Sequence, residues 1–437
     1  MTKAIVKKER SDLAKTVATG AFLAALVLWV SIRTLMQSFF AVDGIVTKEV
    51  FACVKYLCVC LCIIHEAILF VRAIRIETRN RAANRSNGFS STLRKVVSNE
   101  YVLNLLISLI VLLALYAIVV RNIGGSGLFP QYALLLIFCA RNVRFSLIAK
   151  VAMVNLAILL VGIIGSSLIG LIPNVYLSTG HAGYCLGFKY PLFPASLLFS
   201  FTCLALFLNR KRNYLAVYAV LLFLNFLMYL FVDAQLSFIL SASAILLCFF
   251  CSRPSLNTLF RKISPLLTWS FVVLAGASLI IASSQDLTEM LKPINNILGN
   301  RLNLSYEGLQ RYDLLPFGQK INMHGNGSVS FNPDALKTPY FYIDNLYVQI
   351  ALRFGVVFLV IYLAAYTMAA KRALKRKEIV LVIIFTILAI HQTIDDQTLR
   401  LQSNLFMLLL WPSGITLISL IKKKLHKEKE PMLDTQE

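Results

Sequence analysis

The sequence predicts an all-α fold: a polytopic transmembrane helical bundle of about twelve spans, with both termini inside and one large external loop. Three observations carry this. Of the 437 residues, 58% are hydrophobic and only 15% charged, whereas an average soluble domain is nearer half apolar and a quarter charged. The apolar residues fall in long blocks and not in stripes of period 3.6 or 2. The Lys and Arg behind a net charge of +22 sit in short clusters between those blocks.

In chain order, the basic segment MTKAIVKKERSDLAK runs into an apolar block with no small-residue cleavage site. It reads as a retained first helix over 16–37 and not as a signal peptide. A spanning helix needs roughly 20 mostly apolar residues. Further blocks meet or approach this at 51–71, 101–120, 128–140, 150–172, 194–209, 213–231, 236–251, 265–283, 345–370, 379–394 and 403–421. The fourth span is short and interrupted by Pro130, and the eleventh is also short. Residues 1–283 thus hold spans one to nine, 284–343 form an extracytoplasmic loop, and 344–437 hold spans ten to twelve with a basic tail. Threaded this way, the cytoplasmic segments, with Lys150 at the edge of one, carry 31 of the 43 Lys and Arg, as the positive-inside rule requires. An error of one span would invert every later loop, so the agreement favours an even count. The 60-residue loop is rich in Asn, Gly and Tyr, and a connection of that length is expected to be functional. A second external loop covers 173–193.

Several function classes are excluded. Clustered charge between apolar blocks argues against nucleic acid as a partner. Most of the nine cysteines lie inside the blocks, where free Cys behaves as a small hydrophobe. In the run Cys58, Cys60, Cys62, the middle residue lies off the face shared by its neighbours, which argues against a zinc site. No Walker A, dinucleotide-binding glycine motif or nucleophile elbow is present. Asp395 and Asp396 are adjacent and would point apart, so they make no divalent-metal pair. No cofactor or metal is expected.

What remains is a set of charged residues near the outer face. If 300–314 is helical, Leu302, Tyr306, Leu309 and Tyr312 form an apolar stripe, with Arg301 and Ser305 on the neighbouring face. Arg301 reads either as an anion ligand or as a snorkelling side chain. Arg311, four residues after Glu307, reads first as half of an exposed pair. His324 is a surface histidine or a general base. Asp344 and Asn345 open span ten, where polar residues usually face a cavity; helix capping is compatible with that for Asp344. Arg353 is followed by 17 mostly apolar residues, so it reaches the outer boundary as an anchor or a ligand contact. His65 and Glu66 in span two read as part of a structural ion pair with nearby Arg72.

These residues sit in local patterns that resemble the Wzy-like polysaccharide (O-antigen) polymerases of bacterial capsule and exopolysaccharide clusters. YCLGFKYP at 184–191 is similar to that family's Leu-Gly-Phe stretch before span six. NRLNLSYEGL followed by LLPFGQKI is similar to its Asn-Arg-Leu and Phe-Gly pairs in the large loop. YIDNLYVQIALRFGVV is similar to its Asp-Asn-x-Tyr opening of the next span, and IDDQTLRLQSNLF resembles the acidic residue and Asn that open the last. The chain departs from the family before the Leu-Gly-Phe stretch, where it has His181, Gly183 and Tyr184 in place of an Arg. It departs again at the start of span eight, where Gln235, Leu236 and Ser237 replace Ser-Arg.

The resemblance implies metal-independent glycosyl transfer at the outer face of the bacterial cytoplasmic membrane. The donor would be a glycan on undecaprenyl pyrophosphate and the acceptor a lipid-linked repeat unit. Chain-length regulator and flippase proteins are the implied partners, with membrane lipids around the chain. A departing pyrophosphate needs fixed positive charge, for which Arg301, Arg353 and Arg400 are candidates. An acceptor hydroxyl needs a base, for which His324 or Asp344 would serve. Asn345 joins the substrate contacts, and Tyr340, Tyr342 and Tyr347 could stack on sugar rings. The alternative from another class is a lipid-linked oligosaccharide flippase. A carrier often has a long cytoplasmic central loop besides two similar halves, whereas here the central connection is only Asn209 to Asn213 and the long loop is external and late. An O-antigen ligase is a nearer alternative with the same chemistry.

Overall fold

A computed structural model describes residues 2–83, 100–122, 132–178, 182–326, 332, 334, 337 and 339–411. The predicted all-α class holds. The helices run α1 (Thr2–Leu35), α2 (Lys48–Ala83), α3 (Glu100–Asn122), α4 (Tyr132–Ala140), α5 (Phe145–Leu168), α6 (Leu192–Asn209), α7 (Leu215–Val232) and α8 (Gln235–Cys251). They continue as α9 (Pro254–Leu267), α10 (Ser270–Ser283), α11 (Gln285–Met290), α12 (Lys292–Ile297), α13 (Arg301–Arg311), α14 (Leu346–Arg353), α15 (Val356–Lys375) and α16 (Ile379–His391). The strand content among the described residues is one antiparallel pairing, Tyr176–Leu177 with Gly183–Tyr184, in the 173–193 loop.

Among the described residues, seven helices are long and apolar enough to cross a membrane: the apolar parts of α1, α2 and α3, then α5, α6, α7 and α15. An eighth span results if α9 and α10, bent by 53° where they meet, count as one. The remainder of the expected twelve is not shown, for reasons of length. At 1.5 Å per residue, the nine residues of α4 and the 13 of α16 reach about 14 and 20 Å, short of a core of about 30 Å. The predicted twelfth span begins as a 3₁₀ turn, Leu405–Leu409, and 412–421 lie outside the described residues.

Packing follows from the absence of polar stripes. Helices α6 and α16 are buried on nearly every side. On α5 and α7, by contrast, Ile158, Val161, Val220, Phe223 and Leu230 are exposed. A continuous apolar surface of this kind is what lipid tails cover, and the chain is a multi-pass membrane protein. Cys58 and Cys62 are buried and Cys60 is exposed, as the spacing predicts. Glu66 is held not by Arg72 but by Arg141 at the end of α4, through two bonds of 2.7 Å. Beside it, His65 Nδ1 donates to the Ala18 carbonyl at 2.7 Å.

Two departures shape the loop-rich end of the bundle. Span ten is broken at Gly355 (φ +92°), which separates α14 from α15. The loop at Pro316–Gly318 locks into this break: Val357 N donates to Pro316 O (3.1 Å) and Gln319 N to Arg353 O (3.2 Å). A Cβ on Gly355 or Gly318 would overlap the other segment's backbone, so glycine is needed at both. The large loop is also not a plain connection, since α11, α12 and α13 occupy its first half.

Candidate functional site

At the loop-rich end, segments distant in sequence are tied together by backbone and side-chain bonds. Phe39 N donates to Gly187 O, and Lys189 N to Gln37 O, each at 2.9 Å. Gln402 Nε2 donates to Gln37 Oε1 at 3.1 Å, and Leu346 N to Gln392 O at 2.9 Å. Described parts of the loops at 36–46, 173–193, 284–345 and 392–404 therefore converge, and Arg301, Asp344, Asp395, Asp396 and Arg400 are near enough there for their charges to interact in a chain.

Arg301 is placed by a local device. Gly299 and Asn300 adopt left-handed backbone (φ +65° and +66°), which turns the chain sharply before α13. Asn295 Oδ1 accepts from Leu302 N (2.9 Å), while its Nδ2 donates to Asn300 Oδ1 (3.0 Å). The helix start is thereby satisfied and the Arg301 side chain is directed inward. Its Nε lies 3.3 Å from Asp344 Oδ2, and a terminal nitrogen donates to the Ile394 carbonyl. Ser305 lies on the same face, as predicted, and donates to the Arg301 carbonyl at 2.8 Å. The predicted apolar stripe of α13 is not its buried face, however. Leu304, Ser305 and Gly308 are buried instead, because Gly308 lets α13 approach Ile343 and Leu352.

Asp344 is not the helix cap. That role falls to Asn345, whose side chain accepts from Tyr347 N (3.1 Å) and Val348 N (3.3 Å). Burial pushes the Asp344 carboxyl up to about 7, against the pull of Arg301, and the charges of Asp396 and Asp395 add to the rise. The phenols of Tyr190 and Tyr340 lie close enough to Asp344 and Arg301 to sense their charges, and burial raises both.

Asp395 and Asp396 point apart, as adjacent residues should. Asp395 faces His391 Nε2 at 3.5 Å and caps the turn at Gln397 N (2.9 Å). Burial alone would raise its carboxyl, but the His391 bond and charge hold it below the usual range. Asp396 accepts from the Tyr342 hydroxyl, from Gln349 Nε2 (3.2 Å) and from Gln397 Nε2 (3.3 Å). Burial raises this carboxyl, while Arg400 pulls it down. Arg400 lies 5.2 Å over the Phe193 ring, and its buried Nε has no hydrogen-bond partner among the described residues. Arg33, from the end of α1, is near enough for its charge to interact with that of Arg400.

Of the sequence-predicted residues, Arg301, Asp344 and Arg400 thus meet in one cluster, with Tyr340 at its edge. Arg353 does not behave as a boundary anchor: it is buried, and its Nε donates to Asn122 O at 3.3 Å. Tyr347 presents no face to a ligand, since it is fully buried and its hydroxyl donates to Ala389 O at 2.9 Å. His324 is exposed on an isolated bridge to Phe341. Arg311 pairs with Glu307 and lies 4.2 Å over the Phe341 ring. His181 lies outside the described residues. Sequence reading did not single out Arg33, Tyr190, Gln349 or His391. Only Arg33 carried a signal, a cation at the outer end of an apolar block. No group of three or more His, Cys, Asp or Glu able to hold a metal occurs among the described residues. Comparison with protein-family models, curated proteins and solved structures finds no match to this chain.

Proposed function

We propose that the protein is a glycosyltransferase of the outer face of the bacterial cytoplasmic membrane, joining undecaprenyl-pyrophosphate-linked oligosaccharide repeat units. The observation that carries this reading is the half-buried Arg301–Asp344 pair, whose carboxylate senses Asp396, which in turn feels the charge of Arg400, itself near Arg33. In the proposed reaction an acceptor hydroxyl attacks the anomeric carbon of the donor glycan. The bond from that carbon to the pyrophosphate oxygen breaks, and undecaprenyl pyrophosphate leaves. Guanidinium groups stabilise the charge that develops on the leaving oxygen, a role assigned to Arg301 and Arg400. Asp344 takes the hydroxyl proton, since a base is most effective when its pKa lies near the working pH. Tyr340 and Tyr190 offer ring faces beside the pair. The outer placement rests on the distribution of basic loops, and the full span count belongs with that topology.

The test is the glycan made when the gene is deleted and restored. Single lipid-linked repeat units in the deletion strain, with polymer restored by the wild type but not by Arg301→Ala or Asp344→Ala, are expected. Long unattached chains would indicate a ligase, and repeats trapped on the cytoplasmic side a flippase. Unchanged polymer length in both variants would remove the assigned roles.

A further inference from the structure

The opposite end of the bundle holds a feature that the proposed chemistry does not use. A cavity of about 400 Å³ opens there, lined by Arg141, Arg144, Arg210, Arg372 and Arg376, with Glu378 the acidic residue of its wall. These residues come from the α4–α5 loop, the end of α6 and the end of α15, three places far apart in the chain. Arg141 is neutralised by Glu66 (2.7 Å) and Arg210 by Glu378 (3.3 Å). Among the described residues no carboxylate pairs with Arg144, Arg372 or Arg376, so three positive charges are in surplus. Arg372 spends one terminal nitrogen on the Leu409 carbonyl (2.6 Å), while its other terminal nitrogen is buried without a hydrogen-bond partner. The remaining wall is apolar, including Phe145, Leu408 and Trp411. Near the same end, Lys371 sits 3.6 Å over the Trp269 ring, the kind of Trp and Lys pairing found at a membrane–water boundary.

We propose that this cavity binds a phosphate-bearing anion. Like charges gathered at a partly desolvated site repel one another, and three guanidiniums facing one space are stabilised by an anion that accepts from several of them at once. Phosphate oxygens suit this geometry, and basic pockets between spanning helices are favourable places for lipid headgroups. The phosphate could belong to a membrane lipid or to a soluble molecule. The site lies at the far end from Asp344, so it stands whether or not the chain transfers sugars.

The full-length protein, purified in detergent, tests this with two probes. Phosphatidylglycerol is titrated against phosphatidylcholine with bound lipid counted by native mass spectrometry, and inorganic phosphate is titrated in thermal melts. The variant R144Q/R376Q changes two exposed side chains, and K211Q removes a nearby charge that does not line the cavity. Retention of phosphatidylglycerol that R144Q/R376Q weakens by about tenfold or more, and K211Q leaves unchanged, supports a lipid phosphate. Stabilisation by inorganic phosphate lost in the same variant supports a soluble one. Binding of neither probe, or binding that R144Q/R376Q and K211Q affect equally, overturns the proposal. The single variants R144Q and R376Q are tested alongside, so that misfolding of the double variant does not decide the result.

Discussion

At the scale of the residue, Asp344 lies far from ordinary carboxylate behaviour. Its carboxyl is raised from 3.8 to about 7, so between those values the folded chain holds a proton that the unfolded chain has lost. Stability contributed by this group is therefore present at low pH and is lost as pH rises from about 4 to about 7. Asp344→Asn removes the titration, and the expected outcome is a melting temperature that falls less over that window than in the wild type. Equal slopes for the two proteins would sink the assignment. If Asp344 is the proposed base, polymer formation by the wild type also declines as pH falls below about 7, since the carboxylate is the active form. The value arises from tertiary packing and was invisible in YIDNLY, where capping was read for Asp344 and not for Asn345. Asn345 took the cap because its side chain, not that of Asp344, reaches the amides of Tyr347 and Val348.

At the scale of the element, the start of α13 and the pairing of α2 with α4 are the most exposed to test. Asn295→Ala removes both bonds that shape the turn before Arg301, at a cost of about 1 kcal/mol typical of a lost cap. A lower melting temperature is expected and, under the proposed function, shorter polymer, because Arg301 is no longer directed at Asp344. Glu66→Ala leaves Arg141 half-buried without its carboxylate, for which about 3 kcal/mol is expected. The double variant Glu66→Leu with Arg141→Leu recovers most of that stability, as a chemical denaturation series would show. The sequence made Glu66 legible as one half of an ion pair but assigned the wrong partner. Arg72 is near in the chain, whereas Arg141 is brought near only by the packing of α4 on α2.

At the scale of the whole molecule, the two ends of the bundle differ in kind. One gathers carboxylates, arginines and tyrosines under loops; the other gathers arginines around a cavity. The three basic loops that meet at that cavity were each assigned to the cytoplasm from their charge alone. The orientation is checked with a membrane-impermeant thiol reagent on chains from which the exposed Cys53 and Cys60 have been removed. A cysteine at Asp313 should label in intact cells, and one at Lys211 only after permeabilisation. The reverse pattern would invert the topology and place the Arg301–Asp344 cluster inside.

Apolar blocks alone determined that the chain is helical and lives in a bilayer, because lipid leaves the backbone no partner but itself. They did not determine the number of spans. Whether α4, α8 or α16 crosses depends on helix length, bends and burial among neighbours, which a block of Leu and Ile does not record. The pairs in the site were likewise beyond the sequence, since Arg301 lies 43 residues from Asp344, and Arg33 is still more distant from Arg400. Arg301 and Asp344 were legible as candidates because charge at a membrane boundary is conspicuous. Arg353 and Tyr347 looked the same in sequence but are internal, because the break at Gly355 turns α14 into the bundle. Residue type marked which side chains carry chemistry, and only tertiary packing decided which of them face one another.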